Sequence, residues 1–228
     1  MVCGIAKKEG KFNEMVSTKT LYNYIDAGLM KVKNIDLNLK VKMSHKSRKR
    51  RKNRRIMGES IEKRPQKVNE RTEFGHWEID TVVGTKNRSA VLLTLAERVT
   101  RQLITVKIPS RSSQAVSEAM EKIISQFGDK ADKIFKSITA DNGSEFATLT
   151  DTISFADVYF THPYSSFERG TNEKQNSLLR RFFPKNKSLE NISDQAIKAA
   201  QDWINTFPRK IFDYSCSNDL FQRFLNSF

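Results

Sequence analysis

The sequence predicts an α/β fold, a mixed sheet flanked by helices, and three features of the chain indicate it. Hydrophobic residues make up 38% of the 228 residues, which is enough to fill a core. In the middle of the chain, three strand-like stretches follow one another across short turns, and this pattern predicts an antiparallel meander. Further strands then alternate with helices, an order typical of a ribonuclease-H-like mixed five-stranded sheet.

The five predicted strands are apolar stretches bounded by turn residues, and they span residues 76–84, 89–97, 101–109, 134–141 and 157–164. Apolar residues that recur at helical spacing predict helices over 116–127, from about Thr171 onward, and over 193–207. Trp77 and Trp203 are expected in the core. The buried side of the helix that begins at Thr171 is expected to carry Leu178, Leu179 and Phe182.

Positive charge is concentrated in one segment. The sequence has 40 Lys and Arg against 26 Asp and Glu, a net charge of +14. Residues 40–55, KVKMSHKSRKRRKNRR, contain ten basic residues and no acidic one, which leaves 30 against 26, or +4, for the remainder. Such a block stays extended until it meets a polyanion, so it predicts binding to nucleic-acid phosphate, although a solvated linker has the same composition. The expected phosphate contacts are Arg48, Lys49, Arg50, Arg51, Lys52, Arg54 and Arg55.

A short helix is predicted near the start, over residues 17–28, with Ser17 or Thr18 as its cap and Gly28 at its end. It suits a DNA recognition helix, although a plain surface helix fits equally well. The residues before it are too few to form an orienting helix pair with a core. Residues 1–35 are therefore interpreted as a partial helix-turn-helix DNA-binding region, and the polar, strand-poor residues 36–72 as a basic linker. The side chains expected on base edges are Thr18, Lys19, Thr20 and Asn23.

The composition also argues against several classes of protein. No apolar run reaches the roughly 18 residues that a membrane span needs, so no membrane association is expected. The first residues lack the apolar core of a signal peptide. Cys3 and Cys216 stand at opposite ends and match neither a disulfide framework nor a CxxC metal site. A cytoplasmic location is therefore the expectation.

Three acidic residues occupy positions that call for a structural or functional explanation. Asp80 lies within an apolar strand, where a buried carboxylate is costly unless it is paired or binds a metal. Asp141 ends the fourth strand, and Glu173 falls in the first turn of a helix, where the helix dipole favours negative charge. Carboxylates from three elements can converge, and their oxygens suit two Mg²⁺ or Mn²⁺ ions that activate a nucleophile for phosphoryl transfer. Each acid alone could equally be a cap or half of an ion pair, and Glu145 is an alternative to Asp141.

Four stretches of the sequence, EFGHWEIDTVVG, ITADNGSEF, VYFTHPYSSFERGTNEKQNSLLRRFFPK and WINTFPRKIF, resemble the transposases of the insertion-sequence-thirty family. These are bacterial enzymes with a ribonuclease-H-like catalytic domain, related to retroviral integrases. The resemblance runs from about residue 17 to about residue 225. It implies an integrase-type catalytic domain over 73–228, with an Asp-Asp-Glu active site whose catalytic and metal-binding residues are Asp80, Asp141 and Glu173.

The resemblance implies a DNA transposase that cuts at the ends of its element with Mg²⁺ or Mn²⁺ and joins the freed 3′-hydroxyl to target DNA. Its partners would be double-stranded DNA, at the element ends and at the target, and further copies of the chain assembled on that DNA. The same acids would serve a nuclease that hydrolyses without joining. A shortened, non-transposing derivative that binds DNA and represses or competes is a further alternative, because the family usually carries a longer N-terminal DNA-binding region.

Basic side chains surround the third acid. Lys174 and Arg180 are expected to contact DNA phosphate, because cations beside a carboxylate site can hold the substrate backbone. Arg169 and Arg181 are candidates for the same role.

Three further residues, Glu78, His162 and Asn176, are expected near the acids without binding metal themselves. Glu78 shares the strand face of Asp80, so it either lines the site or forms a salt bridge. Asn176 follows Glu173 by three residues and shares its helix face. His162 precedes that helix and either contacts DNA or is structural.

Overall fold

The computed structural model describes residues 2–10, 12–37, 57–85, 90–163 and 165–228. The chain divides into two compact units: the first comprises Met1–Arg51 and Pro208–Ser215, and the second comprises Lys52–Phe207 and Cys216–Phe228. The basic block 40–55, with the phosphate contacts expected from Arg48 to Arg55, lies outside the described residues.

A mixed six-stranded sheet forms the centre of the second unit. Its strands are β1 (Glu59–Ser60), β2 (His76–Val83), β3 (Val91–Glu97), β4 (Leu103–Ile108), β5 (Ser137–Ala140) and β6 (Asp157–Phe160). They lie in the order β1-β6-β5-β2-β3-β4. The β2–β3 and β3–β4 pairs are antiparallel, whereas the β2–β5, β5–β6 and β1–β6 pairs are parallel. The predicted mixed sheet is confirmed with all five of its expected strands, and β1 adds a two-residue strand at its edge.

The helices are α1 (Val2–Lys8) and α2 (Thr18–Asp26) in the first unit, and α3 (Gln66–Glu70), α4 (Ser113–Ser125), α5 (Ala131–Ile134), α6 (Leu149–Thr152), α7 (Gly170–Leu179), α8 (Asp194–Thr206) and α9 (Ser217–Leu225) in the second. The three helices predicted after the meander are confirmed as α4, α7 and α8. Ser112 and Ser193 begin α4 and α8, because each hydroxyl accepts a backbone N–H of the first turn. Within the described ranges, no helix is both long and apolar enough to cross a membrane.

The sheet separates two apolar clusters, and β2 contributes to both because its alternate residues point to opposite faces. Ile79 packs in the cluster that contains Met120 of α4. Val82 packs in the cluster that contains Leu179 of α7. Asp80 follows the alternation of Val82, so its side chain is directed to the face that α7 and α8 cover.

Two aromatic side chains expected in the core are partly exposed. Trp77 is fully buried, as predicted, but the predictions for Trp203 and Phe182 are wrong, since they are 38% and 41% exposed. Trp203 immediately precedes Ile204, a buried residue of α8, so it lies about 100° around the helix from that residue and beside the buried stripe. Its ring instead packs edge-on against Phe182, with centroids 5.3 Å apart.

Residues 59–70 are more structured than the expected strand-poor linker. They contribute β1 and α3, and Val68 of α3 is 1% exposed. Arg64 is buried, and its guanidinium donates to Oδ1 of Asn69 and to Oγ1 of Thr139 on β5. A polar sequence concealed this packing because a buried arginine is accommodated here by polar partners rather than by an apolar pattern.

In the first unit, α2 matches the predicted helix. The Ser17 hydroxyl accepts the backbone N–H of Thr20, and Gly28 adopts a φ of +72° beyond the helix end. The preceding helix α1, in which Cys3 and Ala6 are buried, was not expected. Seven residues are too few for a clear periodic pattern. The interpretation of this region as a DNA-binding unit stays a prediction.

Candidate active site

Asp80 of β2 and Asp141, the residue after β5, stand at equivalent positions in the register of two neighbouring parallel strands. Glu78 of β2 is paired with Thr139 of β5, and each aspartate follows its member of that pair by two residues. Because residues two apart share a strand face, the register directs both carboxylates to the same side of the sheet. Strand β5 ends at Ala140, so Asp141 is the first residue beyond it.

Both carboxylates are half-buried and hydrogen-bonded. Oδ1 of Asp80 accepts the backbone N–H of Thr81 at 2.8 Å, and its Oδ2 accepts Nδ2 of Asn176 at 3.0 Å. Oδ1 of Asp141 accepts the backbone N–H of Gly143 at 2.8 Å. These donors compensate for the water that each carboxylate loses in the fold.

Arg169 joins the two aspartates. Its Nη1 lies 3.4 Å from Oδ1 of Asp80, and its Nη2 donates to Oδ2 of Asp141 at 3.0 Å. The same Nη1 donates to the carbonyl oxygen of Ile79 at 2.9 Å. Arg169 is 8% exposed, and among the described residues its buried Nε has no hydrogen-bond partner. The expected phosphate-binding arginine is therefore a buried bridge between two candidate catalytic acids.

Glu173 is exposed in the first turn of α7. It lines a cleft of about 480 Å³ together with Asp80, Thr81, Val82, Arg169, Asn176, Ser177, Arg180 and Lys185. The structure thus places Asp80 and Glu173 on the lining of one cleft. It also places Asp80 and Asp141 in contact with the same guanidinium, that of Arg169. Across the described ranges, however, no three His, Cys, Asp or Glu side chains form a group that could hold a metal ion.

The donor chemistry at this place nevertheless fits a divalent ion. Carboxylate oxygens are the ligands that Mg²⁺ and Mn²⁺ prefer. Arg169 already places a positive charge against both aspartates. Beside Asp80, Oδ1 of Asn176 is buried and, within the part of the chain that the structure describes, accepts no hydrogen bond. An unsatisfied acceptor next to a carboxylate suits a cation or the water that a cation carries.

Basic residues form one wall of the cleft. Nη2 of Arg180 donates to the carbonyl oxygen of Val83 at 2.8 Å, and Lys185 also lines the cleft. Burial lowers the pKa of Arg180 below its ordinary value, and the nearby Asp80 carboxylate offsets only part of that change. Lys174 is exposed on α7. In the first unit, Thr18, Lys19 and Asn23 of α2 are exposed and Thr20 is half-buried, so their expected contact with DNA stays a prediction.

Glu78 anchors α7 to the sheet. It is fully buried and paired with Arg98, and its Oε2 accepts the backbone N–H of Asn172 at 2.8 Å. The side-chain amide of Asn172 in turn donates to the Glu78 carbonyl oxygen. Of the two roles expected for Glu78, the salt bridge agrees with these contacts. Its effect on the site is to fix the helix that carries Glu173.

His162 and Glu145 are engaged with other charged groups. Nδ1 of His162 lies 2.8 Å from Oε1 of Glu168, and this hydrogen bond is the main reason that the pKa of His162 is raised above its ordinary value. Glu145 is buried, pairs with Arg111 and accepts the Thr81 hydroxyl at 3.2 Å. Glu145 therefore already has a cationic partner that is not a metal.

Several features of the site were not expected from the sequence. Lys185 and Thr81 line the cleft, and Asn172 and Arg98 fix α7 through Glu78. Their roles depend on contacts between elements far apart in sequence. One local signal was available for Asn172, since it immediately precedes Glu173.

Comparison with known proteins finds a family and several relatives that resemble this chain. Residues 70–166 match the protein family described as the integrase core domain. A probable transposase for the insertion-like sequence element IS1161 of Streptococcus salivarius is 44% identical over 207 residues, which are 90% of this chain and 58% of that protein. The transposase InsI for insertion sequence element IS30A of Escherichia coli (strain K12) is 33% identical over 170 residues, 74% of this chain and 43% of that protein.

A third relative, the transposase for insertion sequence element IS4351 of Bacteroides fragilis, is 34% identical over 168 residues, 73% of this chain and 50% of that protein. The chain thus spans about half the length of the curated relatives it matches. Among solved structures, the catalytic core domain of BIV integrase aligns with a TM-score of 0.49 at 14% identity, covering 65% of this chain and 94% of that one. The chain is a homologue of the insertion-sequence-thirty transposases and carries an integrase core domain.

Proposed function

We propose that this chain is a DNA transposase that cleaves DNA at the ends of its mobile element and transfers the freed 3′-hydroxyl to target DNA. The observation that carries the proposal is the shared guanidinium of Arg169, which contacts the carboxylates of Asp80 on β2 and of Asp141 just beyond the parallel strand β5. Such a pair of acids, with a third on the adjoining helix, offers carboxylate oxygens of the kind that metal-dependent phosphoryl transfer uses.

Asp80, Asp141 and Glu173 are the residues that would hold two Mg²⁺ or Mn²⁺ ions. When bound, the ions would supply activation of the attacking oxygen and stabilisation of the leaving oxygen. Asn176 would orient the Asp80 carboxylate through the hydrogen bond that it donates. Arg180 and Lys185 would hold a phosphate of the substrate against the cleft wall, since both are cations on its lining.

The remaining partner assignments belong to the same proposal. Double-stranded DNA at the element ends and at the target would be the substrate. The exposed residues of α2 and the basic block 40–55 would contribute contacts to it. Several copies of the chain would assemble on the DNA.

The test is an assay that follows cleavage on uncut duplexes that carry the element ends and strand transfer on pre-cut ones. Asp80→Asn, Asp141→Asn and Glu173→Gln should each abolish cleavage and joining in Mg²⁺, because losing one ligand commonly costs several kcal/mol of barrier. DNA affinity should stay within about twofold, since the loss is of chemistry rather than of phosphate contacts. Asp202→Asn, which removes an exposed acid of α8, is the matched control and should keep full activity.

Each outcome of this assay is informative. A variant that keeps near-normal turnover shows that its acid was assigned wrongly. Hydrolysis of the ends without joined product would identify a nuclease rather than a transposase. Binding without either reaction, in the unsubstituted chain, would favour a DNA-binding competitor.

A further inference from the structure

The two aspartates of the candidate site share the guanidinium of Arg169. The Nη atoms of Arg169 reach different carboxylates, Asp80 at 3.4 Å and Asp141 at 3.0 Å, so one planar cation spans the gap between β2 and the end of β5. Two half-buried carboxylates on adjacent strands repel each other, and a cation between them removes that repulsion. Arg169 therefore supplies the charge that a metal ion would otherwise bring.

The contacts of Arg169 are incomplete for a buried arginine. Its Nη1 is satisfied by the Ile79 carbonyl oxygen, but in the described ranges its buried Nε–H has no acceptor. By contrast, Nε of Arg98 donates to the Val68 carbonyl oxygen, and its Nη1 pairs with Glu78. A buried donor without a partner weakens the conformation that carries it. The attraction of the two carboxylates for the guanidinium offsets that cost. The position of Arg169 therefore depends on the carboxylates being negatively charged and not neutralised by another cation.

The location of Arg169 in the chain links it to the third acid. It ends the 3₁₀ turn Ser166–Arg169 and directly precedes the first residue of α7. Glu173 follows four residues later in the first turn of that helix. A change in the Arg169 side chain therefore occurs at the segment from which Glu173 is presented to the cleft.

We propose that Arg169 is a positioning residue that acts as an internal cation: it holds Asp80 and Asp141 together before metal binds, and the divalent ion must displace its guanidinium from Asp141. This inference rests on the proposed metal site. Arg169 contacts the Asp141 carboxylate through Oδ2, and a bound ion would take the same carboxylate, so the two cations would compete for it. The arrangement keeps the acids in register without metal, at the cost of a lower affinity for the ion.

Direct metal binding tests the competition without any measurement of turnover. Mn²⁺ affinity of the full chain, from the electron paramagnetic resonance signal of free Mn²⁺, should rise at least about tenfold in Arg169→Gln, equivalent to about 1.4 kcal/mol. The melting temperature without metal should fall in that variant, and saturating Mg²⁺ should restore more of it than in the unsubstituted chain. A purely structural role would instead distort the site and weaken the ion's binding.

Two controls separate the possible failures. Arg181→Gln removes the same charge from a residue that stacks on Trp203, and its Mn²⁺ affinity should stay within about twofold. Asp80→Asn should remove the saturable binding. Binding in Arg169→Gln that is no tighter than in Arg181→Gln overturns the internal-cation role. Absence of Asp80-dependent binding in every protein, the unsubstituted chain included, would overturn the proposed metal site itself, and with it the displacement.

A measurement on the unsubstituted chain covers the case in which Arg169→Gln does not fold. The side-chain Nε–H signal of Arg169, assigned through its backbone by nuclear magnetic resonance, should shift on titration with diamagnetic Mg²⁺ and saturate with the same affinity as metal binding. A signal that keeps its metal-free position when the site is saturated means that the guanidinium was never displaced, and the proposal fails.

Discussion

The side-chain amide of Asn176 donates to Oδ2 of Asp80 at 3.0 Å, and it does so from the helix that also carries Glu173. In the portion of the chain that the structure describes, the other end of this amide, Oδ1, is buried and accepts no hydrogen bond. One residue thus fixes the direction of the Asp80 carboxylate and leaves an acceptor unused beside it. A site that gains a cation or an ordered water would use that acceptor.

Asn176→Ala should lower strand transfer or metal affinity by about 10- to 100-fold, because partners that orient metal ligands typically contribute that much. Stability should change by less than about 1 kcal/mol, since the substitution removes a hydrogen bond and an unsatisfied acceptor together. Ser177→Ala, at the next position of the same cleft, is the control and should leave both quantities unchanged. Calorimetric titration with Mg²⁺ and chemical unfolding measure the two effects; a large stability loss with normal metal affinity would contradict the orienting role.

The strands and the positions of the acids were predictable because local patterns carry them. Alternation in β2 and the placement of Asp80 and Asp141 follow from residues close together in sequence. The role of Arg169 could not be predicted from the sequence, because its contacts join β2, the end of β5 and the start of α7. A basic residue near an acid in the sequence suggests a contact with phosphate. Only the folded structure shows which carboxylates the basic side chain contacts.

Polar segments and helix flanks were the other limits of prediction. Residues 59–70 were interpreted as a linker because their sequence is polar. Arg64 is nevertheless buried among polar partners, and such packing leaves no hydrophobic pattern in the sequence. Trp203 was expected in the core, but it lies on α8 beside the buried face rather than on it, and it is partly exposed. The convergence of three acids on one metal site stays a prediction.

Gly143→Ala should disturb Asp141 directly. A Cβ atom at Gly143 would lie 2.8 Å from Oδ1 of Asp141 and 2.5 Å from Oε2 of Glu145, so both carboxylates must move. Strand transfer should fall at least about tenfold, with a stability loss of about 1–3 kcal/mol from overpacking. Gly170→Ala is the matched control: among the described residues, no atom beyond its chain neighbours and the backbone of its own helix lies within 4 Å of its Cβ position. A helical alanine there should stabilise α7 by up to about 1 kcal/mol. Equal activity of the two variants would show that the Asp141 position tolerates displacement.

Breaking the Glu78–Arg98 pair should cost more stability than breaking an exposed pair, because the remaining charge stays buried without its partner. Glu78→Gln leaves the Arg98 charge without its partner, and the free energy of unfolding should fall by about 3–5 kcal/mol. The exposed pair of Lys63 with Glu59, 3.2 Å apart, provides the comparison, and Glu59→Gln should cost no more than about 1 kcal/mol. Urea unfolding of both variants measures the difference, and similar values would mean that the buried pair is replaceable by neutral hydrogen bonds.

The contact of His162 with Glu168 makes one part of the stability dependent on pH. The hydrogen bond and charge of Glu168 raise the pKa of His162 in the folded chain above its value of about 6.5 in the unfolded chain. The stabilisation is therefore fully present below the unfolded pKa and is lost as the pH rises through the folded pKa.

Glu168→Gln should move the pKa of His162 down toward or below its ordinary value, because the principal cause of the upward shift is removed. The melting temperature of this variant should lie furthest below that of the unsubstituted chain at pH values under the unfolded pKa, and the gap should narrow as the pH rises. Proton titration of the imidazole by nuclear magnetic resonance gives the pKa. Glu62→Gln, which removes the partner 3.1 Å from Nε2, is the control and should shift the pKa less, since Glu62 contributes less to it. A pKa that is the same in Glu168→Gln and in the unsubstituted chain would show that Glu168 does not hold the proton on His162.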